Sequence, residues 1–184
     1  MEQDNRLLII AGSGRNTGKT TLATSIIKNL SSHYSFIGLK VCTKRTGEEK
    51  YHGVHEDIPS DSFSIYRETG TDPHKDTAKM MVAGAEKAFF IIADKSKVLD
   101  TYKAIREFAI NDNAYIVCES GSLRKHVKPA LFLFLQNDHG TKSFKGSPEP
   151  DVDVIIDTTN NTEIIQRIAD RVSIKGESWV ILPE

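Results

Sequence analysis

The sequence predicts an α/β fold: a doubly wound, mostly parallel sheet with helices on both faces, forming a single domain over residues 1–184. Three observations predict it. Short β-branched or aromatic runs alternate along the chain with segments of helical periodicity. A glycine-rich stretch, "AGSGRNTGKTT", joins the first apolar run to the first periodic segment. With 39% hydrophobic and 27% charged residues, a chain of 184 residues is large enough for one real core, and it has no internal repeat.

The elements follow in order. "LLIIA", Leu7–Ala11, is an unbroken apolar run, as a strand buried on both faces requires. A helix is expected from Lys19 to about Leu30, because Leu22, Ile26, Ile27 and Leu30 recur at steps of three and four. The next strand is Phe36–Val41. A helical region is expected over Asp61–Glu68 and, after a break at Gly70 and a Pro73 suited to a first turn, over Asp76–Ala85. Lys87–Ala93 reads as a strand. Asp94 then reads as a cap for a helix carrying Val98, Leu99, Tyr102, Ile105 and Phe108 on one side. Strands at Ala114–Glu119, Ala130–Gln136 and Asp153–Asp157 precede a last helix built on Ile164, Ile165 and Ile168, for which Asn160 is the expected cap. Trp179 in "SWVILP" is expected to pack a C-terminal strand or tail onto the domain, where an edge strand could pair with a second copy.

Composition excludes several classes. A formal net charge of -1 gives no global basic field for a nucleic-acid backbone, so no nucleic-acid partner is expected, although a local patch could still bind phosphates. No apolar run approaches the roughly 20 residues of a membrane span, and the polar start Met1-Glu2-Gln3-Asp4-Asn5 lacks the order of a signal peptide; a cytoplasmic protein without a membrane partner is expected. Two cysteines, Cys42 and Cys118, supply no disulfide framework and no four-ligand zinc pattern.

The glycine-rich stretch has a physical reading. A loop leaving a buried strand for a helix has unpaired N–H groups, and Gly12, Gly14 and Gly18 let the backbone wrap so that these donors converge on an anion. Gly14, Arg15, Asn16, Thr17, Gly18, Lys19, Thr20 and Thr21 are the expected nucleotide-binding residues. Lys19 is expected to reach the β- and γ-phosphates, and the Thr20 hydroxyl to ligate Mg²⁺. The pattern G-x-x-x-x-G-K-[ST] is met except at its first position, where Ser13 stands between Gly12 and Gly14.

A magnesium triphosphate also wants a carboxylate at the end of a neighbouring strand. In "AYIVCESGS" Glu119 follows an apolar run and ranks first; with Lys19 it is assigned the catalytic role. Asp94 competes with it, but also reads as a helix cap. Asp57, in "HGVHEDIPSDS", is a third metal candidate, on a loop able to swing over the phosphates. His52, His55 and Glu56 have no specific metal spacing, and solvated histidines are the simpler reading. Two segments, Cys42–Ser60 and Asn137–Pro150, follow strand ends, where ligands bind in open parallel sheets; both also read as merely solvated connections. The same choice applies to the short basic "LRKHVK" at Leu123–Lys128. Asn137 and Asp138 read either as guanine contacts or as a strand-terminating turn.

Taken together, "GSGRNTGKTTL", the strand-end lysine of "IGLKVCTK", "DSFSIYRETGT", "MMVAGAEKAFFI" and "YIVCESGSL" resemble the molybdopterin-guanine dinucleotide biosynthesis adaptor proteins, a P-loop NTPase family. The resemblance covers about the first 125 residues. It implies a GTP-binding, usually dimeric protein of the signal-recognition/MinD-like class, with weak hydrolysis, that assists a molybdopterin nucleotidyltransferase. The sequence departs from the family in three places. "VCTKRTGEE" replaces a His-rich run, the Glu-Gly pair has become Glu119-Ser120-Gly121, and no lysine stands near the start of the loop, so no lysine exchange across a dimer is implied.

Two further classes share the same loop. A dethiobiotin synthetase-like ligase or kinase would use ATP and a lysine after the second strand, for which Lys40 and Lys44 are candidates. A nucleotide-dependent sensor or scaffold would bind without physiological turnover. GTP and ATP are both open, and slow hydrolysis is expected of all three, because no water-orienting glutamine or further arginine motif is evident.

Overall fold

The computed structural model describes residues 1–43, 56–58, 63–109, 113–137, 151–159 and 162–183. The expectations for Lys44, His52, His55, Asp138 and Asn160 fall outside these residues, as does most of the segments Cys42–Ser60 and Asn137–Pro150. The element order is β1 (Glu2–Gly12), α1 (Lys19–Leu30), β2 (Phe36–Thr43), β3 (Glu56–Ile58), β4 (Phe63–Arg67), α2 (Asp76–Val82), β5 (Lys87–Ala93), α3 (Val98–Ala109) and β6 (Tyr115–Glu119). A single 3-10 turn (Leu123–Lys125), β7 (Val127–Gln136), β8 (Val154–Asp157), α4 (Glu163–Arg171), β9 (Val172–Lys175) and β10 (Ser178–Ile181) follow.

One eight-stranded sheet, in the order β3-β4-β5-β2-β6-β1-β7-β8, organises the chain. From β5 to β8 every pairing is parallel, while β3 and β4 run antiparallel at one edge. The central strand β1 shows why the pattern works. Leu8 and Ile10 point into one core with α1, α4 and Met80 of α2, and the alternate residues Leu7, Ile9 and Ala11 point into a second core with α3. The period of two thus divides one apolar run between two faces, both covered by helices. Among the described residues no helix is long and apolar enough to cross a membrane.

One expectation is corrected. Phe63–Arg67, expected as helix, is strand β4, and it pairs antiparallel with β5. "FSIYR" is rich in aromatic and β-branched residues, which fit a pleated surface better than a helix. Ile65 is buried, and Tyr66 stacks on its cross-strand partner Phe90 at 6.4 Å between ring centroids. At the other end of the chain, β9 and β10 form a hairpin around Gly176 and Glu177, both at positive φ. Trp179 packs from it against Phe36 and Tyr115, each 5.7 Å away, and its indole N–H donates to Arg6 O at 2.8 Å. The expected packing of this tail is therefore met.

Candidate functional site

Parallel register fixes what meets at the carboxyl edge of the sheet. Glu119, the last residue of β6, is the direct partner of Ile10 on β1 and of Lys40 on β2. Both side chains lie on the face covered by α1 and α2. Gly38, two residues before Lys40, lets α2 come down on that face, since a Cβ there would stand 2.7 Å from Met80 Sδ. The start of α2 is clamped from the β4 side. Buried Glu68 accepts hydrogen bonds from Thr77 Oγ1 (2.7 Å) and from the Gly70 N–H (2.9 Å). Asp76, in the first turn of α2, is thereby brought onto the Lys40 ammonium.

The β1–α1 loop is pinned from its other side. The Ser13 N–H donates to Leu135 O at 2.9 Å, the Asn137 N–H to Ser13 Oγ at 3.4 Å, and Thr158 Oγ1 to Thr17 O at 3.4 Å. The ends of β7 and β8 therefore hold the loop, leaving Ser13 and Thr17 buried and Arg15, Asn16 and Thr21 exposed. Two glycines are required here. A Cβ on Gly12 would lie 2.6 Å from Thr17 Oγ1 and 2.9 Å from Leu135 O. Gly18 has φ +88°, and a Cβ on it would lie 2.4 Å from Ile165 Cδ1 of α4. Asn16 also takes a positive φ, of 57°.

Helix α1 starts with no side-chain cap and no acid in its first turn. Its first backbone bond runs from the Leu22 N–H to Gly18 O, so the N–H groups of Lys19, Thr20 and Thr21 have no partner within the helix. Such a helix end has the charge and the donors to receive an anion. Lys19 folds back over the loop, donating to Gly14 O at 2.5 Å and Thr17 Oγ1 at 2.9 Å. Burial lowers its pKa against the attraction of Glu119, with the Lys40 charge adding to the lowering.

The acids differ in environment. The Glu119 side chain is 2% exposed; its Oε2 lies 3.4 Å from Lys40 Nζ, and its Oε1 has no hydrogen-bond partner among the described residues. Burial pushes its pKa up, and Lys40, Thr20 and Lys19 offset this only in part. Asp76 is less buried. There the hydrogen bond and charge of Lys40, helped by the Thr20 hydroxyl, outweigh burial and hold the carboxyl below its usual range. Between these two acids Lys40 keeps its proton more tightly than an ordinary lysine, although burial opposes this.

Lys19, Thr20 and Glu119 are thus gathered at one place, joined by Lys40 and Asp76. Asp57 lies on β3, four strand spacings from β6, or roughly 19 Å. Asp94 is exposed beyond β5; the turn after it closes through the Lys97 N–H to Asp94 O at 2.8 Å, and α3 begins only at Val98. Asp76 was missed because an acid in a first helical turn has the ordinary meaning of a favourable dipole contact. No group of three or more His, Cys, Asp or Glu side chains gathers among the described residues. The donor set here is two carboxylates and a hydroxyl, which suits a Mg²⁺ ion that keeps waters and takes phosphate oxygens. Glu119 Oε1, buried and without a hydrogen-bond partner among the described residues, fits such an ion.

At the opposite edge a cleft of about 860 Å³ opens beside the start of β1. Its lysine and arginines are in ion pairs, with Lys103–Glu2 at 3.0 Å, Arg106–Asp4 at 3.5 Å and Arg6–Glu177 at 2.9 Å. No family model, curated protein or solved structure matches the chain.

Proposed function

We propose that the chain is a P-loop protein that binds a nucleoside triphosphate with Mg²⁺ at the carboxyl edge of the sheet. One observation carries this reading: a glycine loop pinned to the ends of β7 and β8 holds Lys19 within the field of buried Glu119, whose Oε1 has no hydrogen-bond partner among the described residues. The N–H groups of Gly14 to Gly18 and of the first turn of α1 cradle the phosphates. Lys19 exchanges its bonds to Gly14 O and Thr17 Oγ1 for phosphate oxygens. Thr20, Glu119 and Asp76 hold the ion, which when bound neutralises charge on the phosphate oxygens. Because the loop is already clamped, little ordering cost falls on binding.

The finer reading rests on the resemblance. A GTP-binding, dimeric adaptor with weak hydrolysis, supporting a molybdopterin nucleotidyltransferase, is the leading form. An ATP-dependent ligase or kinase is the second, favoured by the position of Lys40 beside both acids.

Calorimetric titration of GTP and ATP, each with Mg²⁺, tests the first claim; no binding of either refutes it. Phosphate release with each nucleotide alone, with a molybdopterin nucleotidyltransferase, and with a panel of carboxylate and amine metabolites separates the two forms. Rapid ATP turnover triggered by one metabolite, with no response to the transferase, overturns the adaptor and leaves the nucleotide site standing.

A further inference from the structure

Lys40 is held as a metal ion would be. Its ammonium pairs with Asp76 Oδ2 on one side and lies 3.4 Å from Glu119 Oε2 on the other. The acids come from separate elements, α2 and β6, so the lysine is the charge that joins them. Glu119 is 3% exposed, and its Oε1 has no hydrogen-bond partner among the described residues. A strongly buried acceptor left over beside an ammonium is a seat built for more positive charge than one lysine supplies.

We propose that Lys40 is a displaceable internal counter-cation. Its ammonium occupies the seat between Asp76 and Glu119 that a divalent cation needs, so that cation enters only as Lys40 leaves. This rests on the triphosphate reading for what happens next: the released ammonium turns to the terminal phosphate, whose charge draws it off the acids. Metal and triphosphate then bind with positive coupling, and the nucleotide-free protein resists loading by metal alone. Like charges cannot share the seat, and this exclusion is the physical basis of the coupling.

Mn²⁺ added to the full nucleotide-free chain, with the free ion followed by electron paramagnetic resonance, tests this directly. Lys40→Met keeps the apolar stem and removes the charge. It should bind Mn²⁺ at least about tenfold more tightly than wild type, while Lys40→Arg stays near wild type and Lys40→Met/Glu119→Gln loses the gain. If Lys40→Met does not fold, Lys40→Gln, which keeps a donor toward Asp76, carries the same expectation. Equal Mn²⁺ affinity in wild type and the folded neutral variant overturns the proposal. Triphosphate binding is measured separately on wild type. A tenfold Mn²⁺ gain without triphosphate binding supports the counter-cation and overturns the nucleotide reading; triphosphate binding with equal Mn²⁺ affinities does the reverse.

Discussion

Gly18→Ala tests whether α4 shapes the glycine loop. Two costs act at this position. An L-residue held at φ +88° loses about 1–2 kcal/mol relative to glycine. The new Cβ would also meet Ile165 Cδ1 at 2.4 Å, where carbon atoms pack at roughly 3.5–4.0 Å, so the isoleucine must leave its rotamer at about 0.5–1.5 kcal/mol. Reduced freedom of the unfolded chain returns about 0.4–1 kcal/mol. The net expectation is a loss of roughly 1–2.5 kcal/mol. Gly176→Ala supplies the control, because Gly176 also has a positive φ, +55°, but nothing within 4 Å of its Cβ. Only the backbone cost applies there, about 0.5–1 kcal/mol net. Urea unfolding of both variants, analysed by linear extrapolation, should rank Gly18→Ala as the more damaging. Ile165→Val removes Cδ1 and should couple favourably with Gly18→Ala in a double-mutant cycle, by about 1 kcal/mol. Equal losses at the two glycines, or strict additivity with Ile165→Val, would show that α4 does not constrain the loop.

Lys19→Ala should weaken triphosphate binding by at least about tenfold, roughly 1.4 kcal/mol, measured by calorimetry, with little change in the apo melting temperature because the ammonium is held against a burial cost. Glu119→Gln keeps the shape and removes the charge; nucleotide affinity in the presence of Mg²⁺ should fall while Mg²⁺-free affinity changes little. The Glu119 carboxyl has a raised pKa, so its stabilising contribution is lost as pH rises through its folded value; Glu119→Gln should therefore spare the apo protein that ionisation cost at neutral pH. Asp76 has the opposite sign. Its pKa is lowered, so its contribution is full above the usual carboxylate range and lost as pH falls through the folded value, and Asp76→Asn should flatten the acid side of a melting-temperature profile. An acid limb as steep as that of wild type would sink this last expectation.

What the sequence by itself determined was local. The unbroken apolar runs of Leu7–Ala11 and Lys87–Ala93 and the helical periodicity of Lys19–Leu30 encode their own elements, because burial on two faces or on one leaves its mark in the order of apolar and polar residues along the chain. The Gly-Lys-Thr loop and the strand-end acid Glu119 were legible for the same reason: each is defined by what immediately precedes and follows it. Tertiary structure decided the rest. Whether Phe63–Arg67 is strand or helix depends on β5 offering an open edge, which five residues cannot announce. That Asp76 shares Lys40 with Glu119 depends on strand order and on Gly38 admitting α2, both set by contacts distant in sequence. Gly18 reads as a loop glycine from its neighbours alone; that Ile165 requires it as well emerges only when α4 is packed against the loop, because steric exclusion acts between atoms that are close in space whatever their separation along the chain.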